Sequence, residues 1–492
     1  MKTCPSMHRT ERPSPTAFPR LALMLLGLAI AGCASVGPDY QRPASDTPTT
    51  WQNANTATSQ TDAARLTQWW TQLGDPALDK LIETALANSP SMQTAQARLR
   101  EARARRNLQS LQDAPNVSGG LSASRNSTRG DNVDVSSHNL SASLDASWEI
   151  DIFGGQRRAL EAADASLAAT AADLNATRVS LAAEVATDYI ALRTDQVRLA
   201  VARANLVSRD QTTQLTEWRN QARLVSGLEV NQARSNAEQT RSTVPALVRA
   251  IEDDKLTLAL LLGLSRKDVE ALLPDGSLPT PPATIAVGIP ADTLRQRPDV
   301  LAAERRLAAQ TAQIGVAEAA RYPSLKLSGS IGAEALSIAG LLRGDIITSS
   351  IAGGLAAPIF DAGRITQNIE IQSAIQEQTL IAYRQTVNQA LNDVEKALNA
   401  WVRSSERLQI LQVAVDTARE AARLATIRFQ AGQTDLLTQL DTQRTQLTQE
   451  ELLAGAQGDR ANTLIQLYKA LGGGWERTQT SDAQSTTTNS TR

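Results

Sequence analysis

The chain has 492 residues, with Lys+Arg 49 against Asp+Glu 51 and a formal net charge of -2. That balance offers no basic footprint for nucleic acid, and aromatic residues, at 3%, are too few for a core built on large rings. Alanine, leucine, glutamine and arginine dominate, which is the composition of long helices packed through small side chains. In chain order, residues 1–32 read first as an export leader. Lys2, Arg9, Arg12 and Arg20 precede an apolar run from Leu21 to Ala31, the basic-then-apolar order of a secretory signal. The run is shorter than the roughly 20 residues that span a bilayer.

The leader ends in Ile30-Ala31-Gly32-Cys33, which resembles the lipobox of bacterial lipoproteins. The resemblance implies cleavage before Cys33, with lipid on its sulfur and on the new N-terminus. No helical periodicity surrounds Cys33, which argues against a buried core thiol. Cys4 lies in the removed segment, so the mature chain holds a single cysteine and no internal disulfide. Ala34 follows the cysteine, where an aspartate would favour retention in the inner membrane. Residues 33–74 then form a lipidated arm, rich in Thr, Ser, Asn and Gln between Ala44 and Thr61.

Two copies of one pattern follow, over 75–274 and 297–475, joined by a linker at 275–296. "NSPSMQTAQARL" (88–99) returns as "QRPDVLAAERRL" (296–307), Val185 matches Val394, Arg219 matches Arg428, and Leu262-Gly263 matches Leu471-Gly472. A repeat of about 208 residues is far longer than a solenoid unit and reads as two fused ancestral halves.

Within each half the apolar period changes twice. Helical spacing runs from about Asp75 to Asp113 and from about Arg297 to Arg321, stopping before Pro115 and Pro323. A period of two follows. After a weaker run from Val117 to Ala123, Leu140, Ala142, Leu144, Ala146, Trp148, Ile150 and Ile152 alternate with Ser141, Ser143, Asp145, Ser147, Glu149 and Asp151. In the second half Leu325, Leu327 and Ile331 alternate with Lys326, Ser328 and Ser330, and Ile347, Ile351, Leu355, Ala357 and Ile359 share one parity. The expectation is four strands of about ten residues, two per half, with loops at 125–137 and 334–346.

Each strand pair leads into a proline-free helix, about Gln156–Gln221 and Arg364–Gln430, roughly 100 Å long at 1.5 Å per residue. Leu380, Tyr383, Val387, Leu391, Val394, Leu398, Trp401, Leu408, Val415, Ala418, Ala422, Ala425 and Phe429 recur at heptad spacing, as do Val185, Tyr189, Leu192, Leu199 and Leu206, a pattern that means coiled-coil packing. Short turns reverse the chain into second helices, roughly Leu228–Leu262 and Leu436–Leu471, the first kinked by Pro245. The Ser-, Thr-, Gln- and Asn-rich tail at 476–492 is expected to be disordered.

Four such strands cannot close a transmembrane barrel, because the outermost backbone groups would face lipid without partners. Three chains would supply twelve strands, inside the known barrel range, and would gather the long helices into a hollow cylinder. Periodicity alone leaves open a soluble sheet with one wet face, or a helical rod.

The strings "GPDYQRP", "WWTQLGDPALDKLIETALANSP", "ARYPSLKLSGSIG", "PIFDAGR" and "AGQTDLLTQLDTQRT" resemble the outer-membrane factor lipoproteins of resistance-nodulation-division efflux systems, the NodT family within the TolC-like superfamily. The likeness runs from about Leu21 to Trp475. It implies a mainly α fold with a small β part and two structural repeats per chain. The coiled-coil helices would form a periplasmic α-barrel, and the four strands per chain would contribute to a 12-stranded trimeric outer-membrane β-barrel. It further implies a homotrimer in contact with outer-membrane lipid, a periplasmic adaptor and an inner-membrane resistance-nodulation-division pump. The chain itself would be a passive exit duct for small molecules such as drugs. A type I protein secretion exit channel and a non-conducting periplasmic coiled-coil scaffold are the rival readings.

Chemistry is sparse. His138 is the only histidine after the leader, so no metal triad or Ser/His/Asp set can be assembled, and neither a cofactor nor an enzymatic activity is expected. By resemblance, "GQTDLLTQLDTQR" supplies a periplasmic gate, in which Leu437 matches an apolar collar, Asp441 an acidic ring and Arg444 its neighbouring base. Three copies of Asp441 around a narrow axis would repel one another and favour cations. The plain alternative is a surface Asp441–Arg444 ion pair on one helix. Phe429 stands where relatives often carry a tyrosine, which leaves Arg428 to help lock the helices. Arg223 replaces the turn glycine of the first half, implying a different shape at that tip.

Overall fold

The computed structural model describes residues 35–44, 48, 51, 66–130, 133–274, 276–282, 297–344 and 346–475. Cys33, the leader, most of the linker at 275–296 and the tail at 476–492 lie outside the described residues. In chain order a short helical turn at Trp69–Leu73 precedes α1 (Pro76–Asn88), α2 (Pro90–Leu111), β1 (Asn116–Gly130), β2 (Val133–Ile150), α3 (Gly155–Gln221), α4 (Gly227–Leu262) and α5 (Arg266–Leu272). The second half supplies α6 (Pro298–Ala319), β3 (Ser324–Ala335), α7 (Ile338–Arg343), β4 (Ile346–Ala356), α8 (Arg364–Gln430) and α9 (Leu436–Ala470).

The chain forms two compact units, each drawn from separated stretches of sequence. One unit contains residues up to 42, 102–167 and 305–380. Its centre is a four-stranded antiparallel sheet in the order β1-β2-β3-β4. The two halves meet at β2 and β3, where Leu144 lies opposite Ile331 and Trp148 opposite Leu327.

The strands differ from expectation in length. They hold 15, 18, 12 and 11 residues, and within the loop expected at 125–137 residues 125–130 and 133–137 are paired strand, with Arg125 opposite His138 and Thr128 opposite Val135. An apolar alternation marks a strand only where one face is buried or lipid-facing, and the polar residues from Ser124 to Arg129 and from Ser136 to Asn139 carry no such mark. The loop expected at 334–346 encloses α7, whose start is capped by the Ser337 hydroxyl accepting from the Gly340 amide at 3.2 Å. β2 ends at Ile150 and β4 at Ala356, so Ile152, Ala357 and Ile359 fall outside the strands, the last two on either side of Pro358.

The other unit contains residues 43–101, 168–304 and 381 onward. The helical run expected from Asp75 to Asp113 is two helices, because Ser89 precedes Pro90 and takes an extended ψ of 135°. Asp75 starts α1 by accepting from the Ala77 amide at 2.9 Å, with Pro76 at the first helical position. The core of this unit gathers Trp69, Leu78, Leu81, Ile82, Tyr189, Leu192, Leu258, Leu262, Leu398 and Leu464. Trp69 stacks on Tyr468 with ring centroids 5.6 Å apart. Trp51, in the arm otherwise rich in polar residues, is also buried in this cluster.

The long helices match their expected limits, at 67 residues each for α3 and α8. Buried positions on α8 include Tyr383, Val387, Val394, Leu398, Trp401, Val415, Ala418, Ala422, Ala425 and Phe429, whereas Leu380, Leu391 and Leu408 of the anticipated stripe are only half-buried. α4 runs uninterrupted through Pro245. The duplication extends to backbone geometry. α4 and α9 both run into left-handed glycines, Gly263 at φ 67° and Gly472 at φ 74°.

Candidate functional site

Two surfaces carry the functional chemistry, one in each unit. On the sheet, the pleat places Val117, Leu121, Leu144, Trp148, Leu327, Ile331, Ile351 and Leu355 on one face. The opposite face is a ladder of hydroxyls, with Ser122 facing Ser141 at 2.7 Å, Ser330 facing Ser350 at 2.8 Å, and Lys326 paired to Glu149 at 3.3 Å. The apolar face is uncovered, and Leu121, Ile351 and Leu355 are all exposed. β1 and β4 are each paired on one side only. At the root of the sheet Phe153 stacks on Tyr322 at 4.7 Å, and Trp148 Nε1 donates to the Asp113 carbonyl at 2.8 Å. No described helix is long and apolar enough to cross a membrane.

The second surface lies where the long helices turn. α3 ends as the Leu224 amide donates to the Arg219 carbonyl at 2.8 Å, and α8 ends as the Gln433 amide donates to the Arg428 carbonyl at 2.8 Å. Arg223 and Gly432 hold the left-handed position of these two turns, at φ 58° and 72°. The first tip therefore has the backbone shape of the second, correcting the expectation that Arg223 changes it. The returning helices are started by carboxylates. Glu229 accepts from the Ser226 amide at 2.7 Å before α4, and Asp435 accepts from the Thr438 amide at 2.8 Å before α9. Those Thr438 bonds hold the Asp435 carboxyl below its ordinary range.

The anticipated gate residues lie together on the first turns of α9. Leu437 is 64% exposed, and Asp441 and Arg444 form an ion pair at 3.8 Å, both well exposed. With Asn231, Gln232, Asn236 and Gln239 of α4 they line a cleft of about 740 Å³. Phe429 is buried against Ala233, Leu436 and Leu440. Arg428 is exposed. The arginine on the Phe429 ring is Arg219, 4.4 Å from the ring centroid, and it donates to the Phe429 and Gln430 carbonyls at 2.9 and 3.1 Å. The repeat had paired Arg219 with Arg428, and that alignment was the signal for it.

Above the tip the helices share a polar interior that hydrophobic periodicity does not register. Arg209 is buried and donates to Asn236 Oδ1 at 2.9 Å, to Thr240, and to the Gln443 carbonyl at 3.2 Å. Burial, with the charge of Arg444 second, lowers the Arg209 pKa from its usual value. Gln439 and Gln443 both donate to Thr212 Oγ1 at 3.1 Å. Buried Glu450 accepts from Asn205 and from Arg419, each at 2.7 Å.

An open sheet with one apolar and one hydroxyl face, in a chain whose other unit is long paired helices, defines the class of outer-membrane channels rooted in helices. The chain belongs to the outer membrane efflux protein family, whose model matches residues 81–264 and 289–473, one match to each repeat. It is 36% identical over 473 residues to the pyoverdine export outer membrane protein OpmQ of Pseudomonas putida, covering 93% of this chain and 97% of that one. It is 32% identical to nodulation protein T of Rhizobium leguminosarum bv. viciae, over 93% of this chain and 94% of the relative. Among solved structures, the outer-membrane channel OprN superposes with a TM-score of 0.83 at 34% identity, over 90% of this chain and all of that one. The open state of the Neisseria gonorrhoeae outer membrane channel MtrE gives 0.79 at 27% identity, over 90% and 99% of the respective chains. The fold is that of the TolC-like channels, and the chain is an outer-membrane efflux protein.

Proposed function

We propose that this chain is the lipid-anchored, trimeric outer-membrane exit duct of a tripartite pump, carrying small molecules from the periplasm or the pump to the exterior. The observation that carries this reading is the sheet, whose two open edges and two chemically opposite faces suit a wall shared between lipid and water. Backbone groups at an edge cannot face hydrocarbon unpaired, so β4 of one copy meets β1 of the next, and three copies close twelve strands. Lipid on Cys33 holds the chain at the membrane. A periplasmic adaptor and an inner-membrane resistance-nodulation-division pump supply docking and energy, and the pump selects the cargo.

At the periplasmic tip, Leu437 and Asp441 of the three copies form the constriction, with Arg444 beside them and Phe429 held under the turn. Conduction is the whole activity, and no residue is assigned a catalytic role. Purified protein reconstituted in planar bilayers tests the reading. Small resting conductance that rises in Asp441→Ala supports it, whereas no current in either form supports a non-conducting scaffold. A deletion strain that keeps its drug resistance but loses a secreted protein would favour type I export instead.

A further inference from the structure

The string "GPDY" has no part in the pore or the tip, yet Gly37 and Asp39 are both tied to one buried arginine of the sheet unit. Arg158, at the start of α3, has a side chain only 5% exposed. It donates to the Val36 carbonyl at 3.0 Å, the Gly37 carbonyl at 3.2 Å and the Asp39 carboxylate at 2.7 Å, with Glu161 completing its partners at 2.8 Å. A buried guanidinium committed to two backbone carbonyls fixes a path of chain, because each lost bond would strand a charged donor away from water.

Shape enforces the same path. Gly37 has φ +91°, which only glycine adopts without strain, and its α-carbon side lies against the backbone of Gly315 on α6 with no room for a Cβ. A Cβ on Gly315 would in turn meet Arg158 Cγ at 2.8 Å and the Val36 carbonyl at 3.0 Å. Ser35 packs on Gly154, where an added Cβ would lie 2.8 Å from the Ser35 α-carbon. The Val36 amide donates to the Phe153 carbonyl at 3.2 Å. Phe153 stacks on Tyr322, so this segment is fastened to the aromatic root of the sheet. Aromatic rings with one apolar and one wet side collect at membrane–water interfaces.

We infer that residues 35–39 are a clamp that sets where the lipid on Cys33 enters the bilayer, aligning the anchor with the interfacial root of the strands. The inference rests on the lipid reading given under Proposed function. Only Ala34 separates Cys33 from Ser35, a reach of at most about 7 Å, so a clamped Ser35 confines the acylated terminus to the rim where β2 leaves the membrane. Anchor and strands then enter at one level, and Arg158 and Gly37 act as positioning residues for insertion.

The test compares Gly37→Val, and the milder pair Asp39→Ala with Arg158→Lys, in two backgrounds. One is the native lipoprotein. The other is the full mature chain with Cys33→Ser, exported by a cleavable secretory signal. Palmitate labelling and detergent-resistant trimer in outer membranes are measured in each. If the clamp acts by placing lipid, the variants keep their palmitate label but lose about five-fold or more of trimer in the lipidated chain, and change the unlipidated chain by less than about two-fold. An equal loss in both backgrounds means a merely structural role and overturns the inference, as does normal trimer in the labelled variants. Absence of palmitate from the parent chain overturns both the lipid reading and the clamp, and is distinguished from the other outcomes by the label itself.

Discussion

Arg223 and Gly432 occupy the same left-handed turn position in the two repeats, at φ 58° and 72°. A side chain there costs about 1 kcal/mol relative to glycine, because Cβ crowds the neighbouring carbonyl. Arg223→Gly should therefore raise the melting temperature of the purified protein by a few degrees, while Gly432→Ala lowers it by a similar amount; scanning calorimetry reads both. Asp254 gives a second expectation. Burial chiefly, with Asp195, Asp188 and Asp253 adding repulsion, pushes its carboxyl from 3.8 up to about 6. A carboxyl that holds its proton more tightly folded than unfolded stabilises the fold at acid pH, and that contribution is lost as pH rises from about 4 through about 6. Asp254→Asn should melt higher than the parent at neutral pH and nearly alike near pH 4. Legibility at this scale was uneven. Leu437, Asp441 and Arg444 were found from one string and do lie together, and Arg219 was visible as the repeat partner of Arg428. Arg209 was not, because a buried arginine leaves no pattern when its partners come from carboxamides and carbonyls on other helices.

The long helices were legible almost to the residue, because no proline or glycine interrupts α3 or α8 between their capping turns, and on α8 the apolar step of three and four covers Tyr383 to Trp401 and Val415 to Phe429. The strands were legible only where one face is apolar. Ser124 to Arg129 and Ser136 to Asn139 are all polar residues, so pairing defines β1 and β2 there and no apolar alternation betrays it. Helix contact leaves another trace invisible to periodicity. Gly458 on α9 faces Thr194 of α3 with no space for a Cβ, and Thr194 is already tied to the Ile190 carbonyl at 2.7 Å. Glycine in mid-helix costs about 1 kcal/mol of propensity relative to alanine, so its presence here marks close approach of two backbones. Gly458→Ala should thus destabilise by about 1–3 kcal/mol through overpacking, against its gain in helix propensity. Equal or higher stability on chemical denaturation would show that α3 and α9 separate without cost.

At the scale of the whole molecule the sequence pointed past the single chain, since an apolar sheet face with two open edges has no partner among the described residues of one copy. The Asp441–Arg444 pair states the same problem at the tip. At 3.8 Å and well exposed, it contributes only a few tenths of a kcal/mol within one chain, too little to explain a role if the protein worked alone. Threefold symmetry changes its meaning. In the proposed trimeric gate, three carboxylates at one axis would create a local negative potential that each exposed Arg444 only partly offsets, and a narrow ring of that kind would admit cations ahead of anions. Asp441→Asn preserves shape and removes only the charge. It should move the reversal potential measured across a salt gradient toward zero, and Arg444→Gln should move it the other way, toward stronger cation preference. Selectivity unchanged in both would mean that Asp441 does not face the conduction path, and would shift the constriction to the apolar Leu437 collar alone.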